Sequence, residues 1–521
     1  MTGDSGSRGR DIGLLAAVFV WLAITAWARP LALPDEGRYV SVAWEMLRSG
    51  NWLVPTLDGL PYFHKPPLFY WLTAAALSVD TTSLLAARIA PWIGGCLAAA
   101  SLFLFARRWA SHRTAVAALL SLAAAPLFFF GAQFANLDML VAGFITATIL
   151  AFAHAALLDI EGASGKSTLL LAYVLCALGV LAKGLIGIVL PGMVLFLWLV
   201  WERRWMVMLR LLWLPGIVLF FVVASPWFIA MQQRFEGFAH YFFVVQHFQR
   251  YSQGGFNNAQ PFWFYPAVLI VLALPWTPWL LGTRRLAWRA ANTEASVRRL
   301  MIVWIAGITL FFTLPQSKLV GYIFPVVAPM MYLVADAAVA LRAASPRWDK
   351  TWRACGVLAV VLCLGAAVAI YVKADRSQAQ VGAALAGRVQ PGDAVIALEE
   401  YRFAIPYEAR LRSPVVVVAD WSPQAVASRD NWRRELADAA VFEPKQDWLI
   451  ADTQVPARVC AANTAWLIAE ESLDKKYPWL DQAEKVISAP KHLALWRVAA
   501  DSPVRNALCR GTPSASSAGK S

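Results

Sequence analysis

Two short runs concentrate the chemistry-bearing residues of this chain: Pro34-Asp35-Glu36-Gly37-Arg38-Tyr39 and Tyr62-Phe63-His64-Lys65-Pro66-Pro67. Both follow the first apolar segment, and ionisable groups beside a membrane are costly enough to need a partner or a task. The pattern recurs further on. Asp138 opens an apolar run, Lys183 separates two, His247 and Arg250 sit in an aromatic-rich loop, and Lys318 and Tyr322 begin a late run. Cations at Lys65, Arg250 and Lys318 suit a phosphate, which accepts charge-assisted hydrogen bonds. Carboxylates at Asp35 and Asp138 suit sugar hydroxyls, a sugar amine, a transferred proton or a divalent metal. A phosphate-carrying lipid arriving from the bilayer would meet both sets. Tyr241, Phe242, Phe243, Phe248, Tyr251, Phe256 and Phe262 of loop 235–264 are suited to stacking on a sugar ring or lying in the interface.

Plainer readings exist for several of these residues. Asp35 and Arg38 can form a local salt bridge of small energetic weight. Lys183 can reach toward headgroups, and His247 can be a hydrogen-bonded loop residue. Glu36 and His64 can be solvated or structural. His64 and His247 are weak candidates for zinc, since two ligands make a poor site; a divalent metal stays an open expectation. The run Gly162-Ala163-Ser164-Gly165-Lys166-Ser167-Thr168 lacks the strand and glycine spacing of a phosphate-binding loop and reads as a short turn.

The elements that must position these residues follow from composition. Of 521 residues, 59% are hydrophobic and 15% charged, with mean hydropathy +0.53; soluble domains carry roughly 25% charged residues. The fold class is mainly α, a polytopic helical bundle of about 11–13 spans. Eleven crossings are expected, at 12–29, 84–106, 113–131, 136–158, 167–182, 184–201, 209–230, 262–281, 299–314, 319–340 and 352–372. The net charge of +13 does not indicate nucleic acid, because basic residues of the apolar region gather in short loops between the runs, at 107–113, 202–210, 282–299 and 342–353. All four lie on the N-terminal, cytoplasmic side of that topology. The first apolar run resembles a signal peptide and serves equally as a signal-anchor. Segment 68–79 is too short to span and reads as an interfacial helix.

The membrane domain is expected over 1–372, with outer loops 30–83 and 231–261. An extracytoplasmic α/β domain is expected over 373–510, and a disordered tail over 511–521. Strands are expected at 394–398, 415–419, 465–469 and 492–498, with helix over 422–440. Cys96, Cys176, Cys355 and Cys363 read as small core residues. Cys460 and Cys509 are free to pair if their domain lies outside the cytoplasm.

The motifs themselves resemble a known family. The two opening runs, with Glu45-Met46-Leu47 and Gly50-Asn51-Trp52-Leu53-Val54-Pro55 between them, look like the first-loop signature of the aminoarabinose transferase family. That family is part of the polyprenyl-phosphate-dependent, GT-C-type membrane glycosyltransferases, with protein mannosyltransferases as cousins. Asn136-Leu137-Asp138, Leu181-Ala182-Lys183-Gly184, His240-Tyr241-Phe242-Phe243, His247-Phe248-Gln249-Arg250-Tyr251 and Ser317-Lys318-Leu319-Val320-Gly321-Tyr322 extend the resemblance through most of 30–340.

The resemblance implies sugar transfer from undecaprenyl phosphate, commonly of 4-amino-4-deoxy-L-arabinose to lipid A phosphates, at the bacterial inner membrane. It implies Lys65, Arg250 and Tyr322 on the lipid-linked phosphate, and Asp35 and Asp138 lining the sugar and acceptor pocket. Glu36, Arg38, Tyr62, Lys183, His247 and Lys318 complete the substrate-binding candidates. The chain departs from the family at His64, where relatives have a Glu that can hold a metal, at Gly37, and in Leu319-Val320-Gly321. Three other classes compete: a protein O-mannosyltransferase-like enzyme, a lipid-linked sugar flippase, and a membrane scaffold. A flippase would be expected to carry internal repeats and midplane charges, which the sequence lacks.

Overall fold

The computed structural model describes residues 3–510 apart from 33, 250–257 and 429–430; the side chains of 3–7 and 247–249 are outside the description. The chain forms two units. One comprises Met1–Arg29 and Phe63–Lys373, the other Pro30–Tyr62 and Ala374–Ser521.

The first unit is helical. Seven of its described helical segments are long and apolar enough to cross a membrane: Ile89–Trp109, Leu137–Ile160, Lys166–Lys183, Leu214–Arg234, Thr293–Thr313, Val320–Ala344 and Pro346–Lys373. Leu137–Ile160 is apolar on all sides and accordingly buried by its neighbours, whereas Pro346–Lys373 exposes most of its surface, as a lipid-facing helix does. Other expected crossings take different forms. The first helix ends at Ala23 and continues as turns. The expected 113–131 span breaks into His112–Ala123 and Pro126–Gly131, because Pro126 has no N–H to continue the ladder. Ile186–Trp201 is apolar but shorter than the others. The 262–281 span bends by 95° between Phe264–Leu272 and Thr277–Arg285, around Pro275. Segment 68–79 forms the short helix Leu68–Leu77, as expected.

The basic loops meet acidic partners at one end of this unit. Asp11 pairs with Arg107 and lies 2.9 Å from His112 Nε2. Arg299 grips Glu202 with two N–H groups, Arg298 Nε donates to Asp336 at 2.6 Å, and Arg342 Nε donates to Asp349 at 2.8 Å. Such pairs fix helix ends where side chains leave the apolar layer.

In the second unit a six-stranded sheet runs β5-β4-β3-β6-β8-β7, with β3 Ala394–Leu398, β4 Val416–Val418, β5 Leu449–Ile450, β6 Ala465–Glu470, β7 Glu484–Ser488 and β8 Leu493–Val498. The first four are parallel to one another and β8 runs antiparallel to β6 and β7. β3 and β4 are buried along nearly their whole length, which is why they read as unbroken apolar runs. β5 and β7 were not anticipated, being very short or polar. The expected 422–440 helix is two, Pro423–Ala427 and Trp432–Ala440. Cys460 and Cys509 are bonded, with Cα atoms 5.8 Å apart, clipping Val455–Ala461 to Pro503–Cys509.

The first loop completes this unit. It contains helix Asp35–Ser49 and a hairpin, β1 Thr56–Leu57 and β2 Leu60–Pro61, turned by Asp58-Gly59 with positive φ at both residues. Glu45 is buried and accepts from Thr56 Oγ1 at 2.7 Å, Asp58 N at 2.7 Å and Gly59 N at 2.9 Å. Asp58 accepts from Val415 N at 2.8 Å, and Ser41 Oγ donates to the Phe403 carbonyl at 2.6 Å. Burial, followed by the charge of Glu45, holds the Asp58 carboxyl well above the usual carboxylate range.

Candidate functional site

In the second unit, Asp35 and Glu36 occupy the first turn of helix Asp35–Ser49, where the helix dipole favours negative charge. Their environments differ. Asp35 is largely exposed, with 58% of its side chain accessible, while Glu36 is buried and accepts from Ala32 N at 2.6 Å. Glu36 therefore fixes the approach to the helix. Arg38, one turn on, donates to Asp35 and to Glu435, a buried carboxylate on helix Trp432–Ala440. Tyr62 Oη donates to the other Glu435 oxygen at 3.3 Å. The Arg38 guanidinium also lies 4.9 Å from the Tyr39 ring centre and 5.5 Å from that of Phe403. Burial alone would lower the Arg38 pKa; the charge of Glu435, aided by Tyr39, Tyr62 and Asp35, outweighs it and holds the guanidinium firmly protonated.

Glu435 was not anticipated. It follows Arg433 and Arg434 on a helix of high polarity, and only the fold reveals that its face points inward with Leu436 and Ala439.

A second cluster forms inside the helical unit. Asp138 follows the N-cap Asn136, whose side chain accepts from Met139 N at 3.0 Å. Lys183 ends helix Lys166–Lys183 and forms an ion pair with Asp138. Gly184 allows that ending with φ 88°, a conformation other residues rarely adopt. The Lys183 ammonium lies 4.6 Å from the centre of the Tyr322 ring, and Tyr322 belongs to the turn Val320–Ile323. Gly321 is the unforeseen member of this cluster: a Cβ there would lie 2.4 Å from Asp138 Oδ2. The Asp138–Lys183–Tyr322 contact thus depends on a residue with no side chain.

Lys318 is placed differently from its expected role at a phosphate. It is buried, and its ammonium donates to the carbonyls of Pro315 at 2.7 Å and Gln260 at 2.9 Å, with Gln316 O at 3.5 Å. With its donors turned to carbonyls, it fastens the turn before Tyr322. Lys65 is half-buried. His64 is buried with its ring 5.9 Å from that of Tyr241. The His247 side chain and Arg250 lie outside the described residues. Among the described residues no three His, Cys, Asp or Glu side chains converge as a metal would need.

Comparison with known proteins adds three findings. A family model described as dolichyl-phosphate-mannose-protein mannosyltransferase matches residues 64–229. Proteins named undecaprenyl phosphate-alpha-4-amino-4-deoxy-L-arabinose arabinosyl transferase, from Pseudomonas savastanoi pv. phaseolicola and Pseudomonas aeruginosa, are 32% and 31% identical over 339 and 338 residues. Each alignment covers 64% of this chain, which spans 62% and 60% of the lengths of those relatives. Among solved structures, ArnT from Cupriavidus metallidurans bound to undecaprenyl phosphate superposes with a TM-score of 0.80 at 24% identity, over 95% of this chain and 98% of that one. The archaeal oligosaccharyltransferase AglB from Archaeoglobus fulgidus superposes with a TM-score of 0.52 at 15% identity, over 89% and 70%. Over about two thirds of its length this chain is similar in sequence to those transferases, and it shares the fold of the ArnT structure.

Proposed function

We propose that this chain is an integral membrane glycosyltransferase that moves a sugar from undecaprenyl phosphate to an envelope acceptor, with aminoarabinose or a related sugar as donor group and lipid A phosphate as acceptor. The observation that carries this reading is the Asp138–Lys183–Tyr322 cluster: charged groups held at span ends, in a chain whose relatives bear that transferase's name. The site and the C-terminal unit are assigned to the periplasmic side of the inner membrane. The basic loops at the opposite helix ends and the Cys460–Cys509 bond favour this orientation.

The proposed reaction is a single displacement at the anomeric carbon. The bond to the carrier phosphate breaks as the acceptor oxygen attacks, and polyprenyl phosphate leaves. Lys65 and Arg250 stabilise the charge growing on the leaving phosphate, most effectively where water is scarce. Arg38, held by Glu435, orients Asp35. For a hydroxyl acceptor Asp35 takes the proton; for a phosphate acceptor the nucleophile is already ionised, and Asp35 instead holds the donor sugar. A second reading, a protein-directed mannosyltransferase-like enzyme, is favoured by the family match over 64–229 and differs in its acceptor.

Mass spectrometry of lipid A and envelope glycolipids from cells with and without the chain tests the proposal. A pentosamine that disappears from lipid A supports it. Unchanged lipid A, with a sugar lost from a protein, selects the second reading. In a purified assay, Asp35→Asn and Lys65→Ala should each reduce transfer by orders of magnitude, and near wild-type turnover in both refutes the assignment.

A further inference from the structure

The turns that follow the first helix and the last membrane helix border a cavity of about 460 Å³ that shares no residue with the Asp138–Lys183–Tyr322 cluster. This volume is typical of small-molecule sites. Its walls are mostly apolar: Phe130 on one side, and Leu364, Ala367, Val368 and Ile370 of helix Pro346–Lys373 on the other. Trp27 and Tyr371, 66% and 45% exposed, also line it, and such residues favour the boundary between hydrocarbon and headgroups.

The polar end of the cavity carries a cation and an unused amide. Arg29 is 7% exposed, donates to the Gln133 carbonyl at 3.0 Å and lies 3.8 Å from the centre of the Phe134 ring. Its charge is permanent. The Gln133 side chain is 3% exposed; its Oε1 accepts from Thr25, and its Nε2 has no hydrogen-bond partner among the described residues. A buried amide donor left unpaired costs about 1–3 kcal/mol. A greasy trough that ends in a fixed cation and a vacant donor, and is bounded by interfacial aromatics, complements an anionic lipid. Its phosphate would answer both polar groups while an acyl chain follows Leu364–Tyr371.

We propose that this cavity binds one anionic phospholipid of the surrounding bilayer, as a lateral site separate from the one proposed for sugar transfer. The phosphate sits at Arg29 and Gln133, and one acyl chain lies along the last membrane helix.

The test uses the full chain in nanodiscs containing phosphatidylglycerol with a photoactivatable group in one acyl chain, against phosphatidylcholine carrying the same group. Cross-links to the first lipid should concentrate in peptides spanning 25–29 and 364–371, and native mass spectrometry should retain one phosphatidylglycerol per protein. Gln133→Leu removes the donor, and Ala367→Trp fills the trough without touching a polar contact; each should reduce cross-linking there at least tenfold. Thermal unfolding checks that both variants fold, and the wild-type map stands without them. Equal labelling by phosphatidylcholine, even labelling along the whole helix, or labelling unchanged in folded Ala367→Trp each overturns the proposal. One-for-one displacement by polyprenyl phosphate also overturns it, because the trough would then belong to the donor.

Discussion

Gly321→Ala is the most informative single change in the helical unit. The new methyl carbon would lie 2.4 Å from Asp138 Oδ2, 2.6 Å from its Cγ and 2.7 Å from its Cβ. Contacts that short cannot persist, and the atoms in the way belong to a short side chain anchored on a helix. Asp138 must therefore rotate away from Lys183. Forcing a methyl group into a packed site costs about 1–3 kcal/mol. If that cost falls on the Asp138–Lys183 arrangement used in the transition state, kcat/KM for sugar transfer drops by about 5- to 150-fold. Gly321→Thr, with more atoms to place, should lose more. The assay is transfer from a synthetic polyprenyl-phosphate sugar to its acceptor, read by mass spectrometry, with thermal unfolding as the control for folding. A double-mutant cycle adds the decisive comparison: in an Asp138→Asn background, Gly321→Ala should cost little more than Asp138→Asn alone. Wild-type kcat/KM in Gly321→Ala, or fully additive losses in the double variant, refutes the reasoning.

Other outcomes follow from features of both units. Glu435→Ala should leave the buried Arg38 without its main counter-charge and lower transfer at least tenfold, with Glu435→Asp recovering part; unchanged transfer would remove Arg38 and Glu435 from the site. Lys318→Met should lower thermal stability, since hydrogen bonds from a charged group are worth about 1.5–3 kcal/mol each; a raised donor KM with stability intact would instead return Lys318 to the phosphate. Cys460→Ser with Cys509→Ser should destabilise the C-terminal unit by about 2–4 kcal/mol, seen as an earlier thermal or denaturant transition. Asp58 binds its proton more tightly folded than unfolded, so its contribution to stability is largest below its unfolded pKa, near 4, and falls as pH rises toward its raised folded value. Asp58→Asn should therefore flatten the pH dependence of unfolding above pH 4; an unchanged profile would show that Asp58 does not titrate abnormally.

The sequence carries the membrane bundle clearly, because apolar length is its own signal. Span forms are harder to read: Pro126 and Pro275 divide two segments whose hydropathy is continuous. Strands β3 and β4 are legible as buried apolar runs, whereas β5 has two residues and β7 is polar enough to pass for loop. In the site, Asp138 and Lys183 are recognisable because charges at span ends stand out. Glu435 is not, since it lies 397 residues from Arg38 in a segment where charged residues are ordinary. Gly321 shows in the sequence only as part of a departure from the family, and its steric role is hidden because its contribution is the space it leaves. Lys318 illustrates the converse problem, because an isolated cation in an apolar stretch has the same sequence signature whether it faces a ligand or backbone carbonyls.

The pairing of the first loop with the C-terminal sheet has a consequence for how the protein is made. Pro30–Tyr62 is synthesised among the first residues, yet Ser41, Asp58 and Arg38 meet partners 362, 357 and 397 residues later. Every membrane helix after the first is made between those events. During translation Glu45 and Asp58 therefore wait without the sheet that covers them, and Arg38 waits without Glu435. A chain that ends before Phe403 has its membrane helices but none of these three partners for the first loop. The frame around Asp35 is thus closed only after residues 403, 415 and 435 have emerged, long after the loop itself is made.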